Sequence, residues 1–117
     1  MIKIITRNEL QSKIRSGDDF ILIDTLPPDS YSKGHLPGAI SIPSDNIIEE
    51  APHKIPNLNT TIVVYCGNAP CKRSDKAAKR LIDLGYKTVF DYHEGKADWI
   101  AAGLPLDSLE PPHTAQP

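Results

Sequence analysis

The chain carries two cysteines, Cys66 and Cys71, five positions apart. Two thiols cannot build a disulfide scaffold or by themselves fill a four-ligand zinc site, so the chemistry to look for is that of a reactive sulfur. Cys66 directly follows Thr60-Thr61-Ile62-Val63-Val64-Tyr65, an apolar and largely β-branched run, and precedes Gly67, Asn68, Ala69 and Pro70. Cys71, Lys72 and Arg73 then lead into a helical pattern that opens at Ser74. A strand, a short loop and a helix N-terminus in this order aim backbone N–H groups inward, and the first helical turn adds partial positive charge. A thiolate is stabilised there like any other anion, with Lys72 and Arg73 adding full charges nearby. Cys66 therefore reads as a nucleophile that attacks an anionic substrate and carries a covalent adduct. The competing reading, a small hydrophobe filling a strand end, suits a cysteine without this loop. Cys71 stays open between a resolving or redox partner of Cys66 and a loop filler.

The elements that would position this loop alternate along the chain. Ile2 to Ile5 leans to strand, and Thr6-Arg7-Asn8-Glu9 is a capping-box pattern opening a helix whose inner face is expected at Leu10 and Ile14. Phe20 to Asp24 is apolar without alternation, as in a strand buried on both faces, which implies a parallel sheet between helices. A helical turn at 29–33, a Gly34-His35-Leu36-Pro37-Gly38 turn, a strand at 39–42 and a short helix at 46–51 follow. Thr60 to Tyr65 is the strongest strand signal. From Ser74 to Leu84 the apolar residues Ala77, Ala78, Leu81, Ile82 and Leu84 fall on one face, and Gly85 stops the helix. A strand at 87–92 and a helix at 97–102 with the only tryptophan, Trp99, complete an α/β pattern.

Composition narrows the function. A net charge of −2 and no basic run speak against nucleic-acid binding, and no window approaches the length of a membrane span or a signal peptide. A cytoplasmic protein in a reducing compartment is the expectation. His53, His93 and His113 show no ligand spacing with one another or with the cysteines, so no metal is expected. Eleven prolines punctuate the connections, and 107–117, DSLEPPHTAQP, reads as a disordered tail after a domain at 1–106.

The residues also resemble a known family. Asp24 at a strand end, Tyr31, then Gly34-His35-Leu36-Pro37-Gly38-Ala39 look like the N-terminal signature of rhodanese domains. Val64-Tyr65-Cys66, Ser74, Ala77-Ala78, Leu81, Gly85-Tyr86, Gly95, Trp99 and Gly103-Leu104-Pro105 resemble the C-terminal one, in order and spacing. The resemblance implies a rhodanese-like three-layer α/β fold, with a five-stranded mainly parallel sheet flanked by helices. It implies a sulfurtransferase without cofactor: Cys66 takes sulfane sulfur from thiosulfate or a similar anionic donor, sulfite leaves, and the Cys66 persulfide passes sulfur to cyanide, a thiol or an acceptor protein. Backbone N–H groups of 67–73 would stabilise the departing charge.

Three positions depart from the family pattern. The usual loop arginine five places after the cysteine is Cys71 here, and Arg73 lies seven places on, as in a subgroup with a second loop cysteine. Leu26 stands where an arginine usually follows the strand-end acid, so an ion pair is expected to be missing. Glu94-Gly95 occupies the place of a glycine pair, which is expected to make the rim more acidic. His35 reads as structural rather than as a base, and Asp24 as holding a loop or touching the site. Trp99 with Tyr92 reads as core, and Lys76 with Arg80 as an outward face that can dock an acidic partner. Three alternatives remain: cysteine phosphatase or arsenate reductase chemistry, for which the arginine expected six places after Cys66 is Lys72; a Cys66/Cys71 thiol–disulfide protein; and a non-catalytic binding or regulatory module.

Overall fold

Four of the five residues of β4 (Thr61–Tyr65) are β-branched, and Ile62 through Tyr65 have no solvent exposure. A strand of this kind fits only at the middle of a sheet covered on both sides. The computed structural model, which describes residues 2–109, places it there. The five strands are β1 (Ile2–Ile4), β2 (Ile21–Asp24), β3 (Ile40–Ser41), β4 and β5 (Thr88–Tyr92), in the order β1-β5-β4-β2-β3 with every pairing parallel. Parallel strands need crossovers, and the helices supply them: α1 (Arg7–Arg15), α2 (Pro28–Lys33), α3 (Ile47–Lys54) after a 3-10 turn at Ser44–Asn46, α4 (Arg73–Asp83) and α5 (Gly95–Ala101).

Alternation along β4 divides the core into two. Ile62 and Val64 pack with Ile23 and Val89 against Ile47 and Ala51 of α3 and Ala77, Ala78 and Leu81 of α4. Val63 and Tyr65 pack with Leu22 and Tyr92 against Leu10 of α1 and Trp99 of α5. The three layers are those of a rhodanese-like α/β fold. Burying one Leu or Ile in such a core stabilises it by about 2 kcal/mol, so the helices are held by their apolar stripes more than by propensity.

Local chemistry explains several boundaries. Thr6 Oγ1 accepts from the Glu9 amide and Glu9 Oε1 from the Thr6 amide, the reciprocal cap that the Thr6-x-x-Glu9 spacing implies. Glu9 is held below the usual carboxylate pKa by that bond from the Thr6 backbone. Trp99 is buried, its Nε1 donating to the Pro105 carbonyl.

Four expectations are corrected. Ile14 is 44% exposed, because Leu10 is the only buried residue of α1 and Ile14, one turn on, reaches only the lip of a shallow groove beside Pro37 and Trp99. The helix expected at 46–51 runs on to Lys54 through Pro52, and the Ile48 carbonyl that loses its donor belongs to an exposed residue that water can serve. Arg80 is not a free docking charge, since Nη1 donates to the Ser44 carbonyl at 2.7 Å and to Ser44 Oγ at 3.1 Å. Residues 107–109 are tied to the domain: Asp107 and His35 exchange two backbone hydrogen bonds, and the Leu109 amide donates to Ser32. The rest of the expected tail, 110–117, lies outside the described residues. Among the described residues no helix is long and apolar enough to cross a membrane.

Candidate active site

β4 delivers Cys66 to the carboxyl edge of the sheet, one residue past the last paired position, where open α/β sheets place their ligand sites. Its side is set by the alternation: 62, 64 and 66 face α3 and α4. The side chain has no solvent exposure, and Sγ lies 3.5 Å from Ser74 Oγ, the thiol form donating to the serine. Ser74 is itself buried in the first turn of α4 and hydrogen-bonds through its side chain to Asp91 of β5. Asp91 is 2% exposed, and its Oδ1 has no hydrogen-bond partner. Burial pushes the Asp91 carboxyl above the usual carboxylate range, against the opposing pull of Ser74 and His93. A buried cysteine, a serine and a carboxyl with a raised pKa thus form one connected group.

The loop between β4 and α4 is anchored at one end and open at the other. The Lys96 and Ala97 amides donate to the Cys66 and Gly67 carbonyls at 2.9 and 2.8 Å, so the start of α5 grips the first two loop residues. Gly95 makes this approach feasible: at φ +70°, a Cβ there would stand 2.5 Å from the Cys66 carbonyl oxygen. Further on, the Cys71 amide donates to the Asn68 carbonyl at 3.0 Å and closes a turn over Ala69 and Pro70. That turn sets Cys71 beside Cys66, with the two sulfurs paired and the Cα atoms 6.5 Å apart. Lys72 caps α4 without a side-chain hydrogen bond, so the first-turn amides of α4 have no side-chain acceptor. Lys72 and Arg73 are exposed, and Arg73 lines a cleft of about 250 Å³ with Thr25, Pro43 and Ser44.

A second network lies on the other side of β4. Asp24 is fully buried at the end of β2; Oδ1 accepts from the Leu26 amide at 2.9 Å and Oδ2 from the Tyr65 hydroxyl at 2.8 Å. Tyr65 Oη in turn accepts from the Leu36 amide at 3.0 Å. Burial first, then the adjacent Asp24 charge, pushes the Tyr65 phenol far up, so it stays a neutral donor. The Lys96 ammonium stands 3.9 Å from Asp24 Oδ2 and donates to the Ser30 carbonyl. The ion pair expected to be missing with Leu26 is therefore present with another partner, and the rim next to Glu94-Gly95 carries a cation that the sequence reading passed over. His35 is 5% exposed, stacks on Tyr31 at 3.8 Å and bonds the Tyr31 carbonyl through Nδ1. Those contacts hold the Gly34-His35-Leu36-Pro37-Gly38 turn.

Of the residues singled out in the sequence, Cys66, Gly67, Asn68, Ala69, Pro70, Cys71, Lys72, Arg73 and Ser74 form one continuous edge from β4 to α4, and Asp24 lies beneath the neighbouring loop through Tyr65. Sequence reasoning missed Asp91, Tyr65 and Lys96. A carboxylate inside the apolar strand 88–92 was the available signal for Asp91. Among the described residues no group of three or more His, Cys, Asp or Glu side chains could hold a metal ion.

Comparison with known proteins agrees with the topology. Residues 6–102 match the family described as Rhodanese-like domain. An HTH-type transcriptional regulator of Mycobacterium tuberculosis, Rv0324, is 36% identical over 109 residues, covering 92% of this chain and 46% of the regulator. The chain thus spans about half of that relative. A protein named Sulfurtransferase from Allochromatium vinosum is 27% identical over 110 residues, covering 94% of this chain and 99% of its own. The crystal structure of BH2092 from Bacillus halodurans superposes with a TM-score of 0.84 at 25% identity, covering 92% of this chain and 77% of that one. The chain belongs to the rhodanese-like family.

Proposed function

We propose that the protein is a sulfurtransferase that takes sulfane sulfur from thiosulfate or a similar anionic donor onto Cys66. The observation that carries the reading is the position of Cys66, buried at the carboxyl end of the central strand and facing the uncapped first turn of α4. The Cys66 thiolate attacks the outer sulfur of the donor, the donor S–S bond breaks, and sulfite leaves with its electron pair. Amides of the loop that carry no internal hydrogen bond and the α4 terminus stabilise both the thiolate and the departing anion, with Lys72 and Arg73 drawing the donor in. The Cys66 proton is lost to solvent or to the incoming donor anion, and the Ser74 hydroxyl, 3.5 Å from Sγ, can then turn its own proton toward the thiolate. The persulfide then passes its outer sulfur to a thiol, cyanide-like or protein acceptor. Likeness to a named sulfurtransferase over that protein's full length supports the class. A cytoplasmic, reducing location would keep both cysteines as the thiols from which the cycle starts.

The test uses reduced Cys71→Ser protein, which keeps Cys66 as its only thiol. Incubation with thiosulfate is expected to release sulfite and add one sulfur atom to the intact mass, and Cys66→Ser is expected to do neither. Absence of an adduct with both thiosulfate and polysulfide would sink the reading.

A further inference from the structure

We propose that Cys71 resolves the Cys66 persulfide, so that the protein releases the sulfane sulfur as sulfide and is left with a Cys66–Cys71 disulfide. The inference rests on sulfur loading at Cys66 and goes beyond transfer to an acceptor: it makes the chain a sulfane-sulfur reductase that consumes an external dithiol.

Four features carry it. The loop already pairs the two sulfurs, with a Cα separation of 6.5 Å inside the range a disulfide spans. No regular element has to break for this, because the pairing is closed by the Asn68–Cys71 turn and α4 starts only at Arg73. Cys66 is held in place by the α5 amides on its own carbonyl and on that of Gly67, so Cys71 is the sulfur free to approach or withdraw. Exposure also differs: Cys66 has none, whereas Cys71 is half-buried. An outside thiol therefore meets Cys71 more readily than the inner sulfur of Cys66, while Cys71 reaches that sulfur at the high effective concentration of an intramolecular reaction.

The step balances as follows. The Cys71 thiolate attacks Cys66 Sγ, the bond from Sγ to the outer sulfur breaks, and that sulfur leaves with the electron pair as hydrosulfide, taking up the proton that Cys71 lost. The sulfane sulfur is reduced by two electrons, and the two cysteines are oxidised to one disulfide. A dithiol reductant in solution, attacking the exposed Cys71 side, restores both thiols. Over one cycle a sulfane donor and a dithiol give sulfite, sulfide and the oxidised dithiol.

The experiment compares wild type, Cys71→Ser and Cys66→Ser, each fully reduced, freed of reductant and treated with one equivalent of thiosulfate. Intact mass, free thiols and released sulfide are read together. Wild type is expected to release about one sulfide per chain, lose both thiols and retain no added sulfur, while Cys71→Ser retains the added sulfur and releases no sulfide. Wild type that keeps the sulfur without releasing sulfide, beside a Cys71→Ser chain that also loads, would overturn the resolving role and leave loading intact. A Cys71→Ser chain that never loads would instead remove the loading on which the inference stands. Cys71→Ala, checked by circular dichroism for an unchanged fold, guards against an effect of the serine hydroxyl.

Discussion

Asp24 and Asp91 stand on either side of the central strand, yet they are built in opposite ways. Asp24 pairs in register with Tyr65 across β2 and β4, and Asp91 with Val64 across β5 and β4. Both are buried. Asp24 is compensated by an amide, a phenol and an ammonium, whereas Asp91 has a serine on one side and an oxygen without a partner on the other. A buried charge is tolerated when its surroundings supply donors and a counter-charge, and otherwise the group keeps its proton. Asp24 is therefore part of the scaffold that joins the loops after β2 and β4. Asp91 is a carboxyl whose pKa burial raises, next to the serine that stands beside Cys66.

Substitutions can break that contrast or sharpen it. The largest effect is expected from Asp24→Ala, which leaves the Tyr65 hydroxyl and the nearly buried Lys96 ammonium without their partner; a loss of about 4 kcal/mol should appear in urea unfolding. Gly95→Ala is next, at about 3 kcal/mol, from the positive φ and the clash with the Cys66 carbonyl. It should also slow loading of Cys66, because the α5 grip on the loop is displaced. Tyr65→Phe should cost about 2 kcal/mol by stranding the Leu36 amide and one Asp24 oxygen, and an unchanged unfolding midpoint would contradict the network.

Asp91→Asn is expected to act in the opposite direction and to depend on pH. The raised pKa means that the folded chain holds the Asp91 proton more tightly than the unfolded chain does. Its favourable contribution is complete below the unfolded carboxylate value, about 3.9, and is lost as pH rises through the folded value. Asparagine does not ionise, so the two stability curves should meet at acid pH and separate toward neutrality, with the variant the more stable. A constant gap across pH would assign Asp91 a purely steric role. If the Ser74 hydroxyl turns its proton toward the Cys66 thiolate, the same variant should shift the pH profile of sulfur loading.

Much of this arrangement was legible because it rests on short-range patterns. The apolar run before Cys66, the Thr6-x-x-Glu9 cap and the spacing of Ala77, Ala78 and Leu81 each encode an element locally, and their alternation encodes the parallel sheet. The contacts across the molecule were not legible. Lys96 answers Asp24 from 72 positions away, and Asp91 meets Ser74 only once β5 lies beside β4. Asp107 was assigned to a tail on composition, and its tie to His35 consists of backbone bonds that no side-chain pattern announces. The same holds for Pro52, which α3 accommodates where the carbonyl left without a donor belongs to the exposed Ile48.

The grip of α5 on the loop also gives the site a direction. Of the helices that begin at this edge of the sheet, α4 and α5 flank the loop after Cys66, and each would ordinarily offer its leading amides to an anion. Those of Lys96 and Ala97 are already occupied by the chain's own carbonyls, whereas α4 has no side-chain cap. The pull on a negative group is therefore one-sided, toward α4 and the exposed Lys72 and Arg73. On the proposed function, donor and leaving group would be steered along the same flank on which Cys71 stands, so that they and the second thiol would share a single lane.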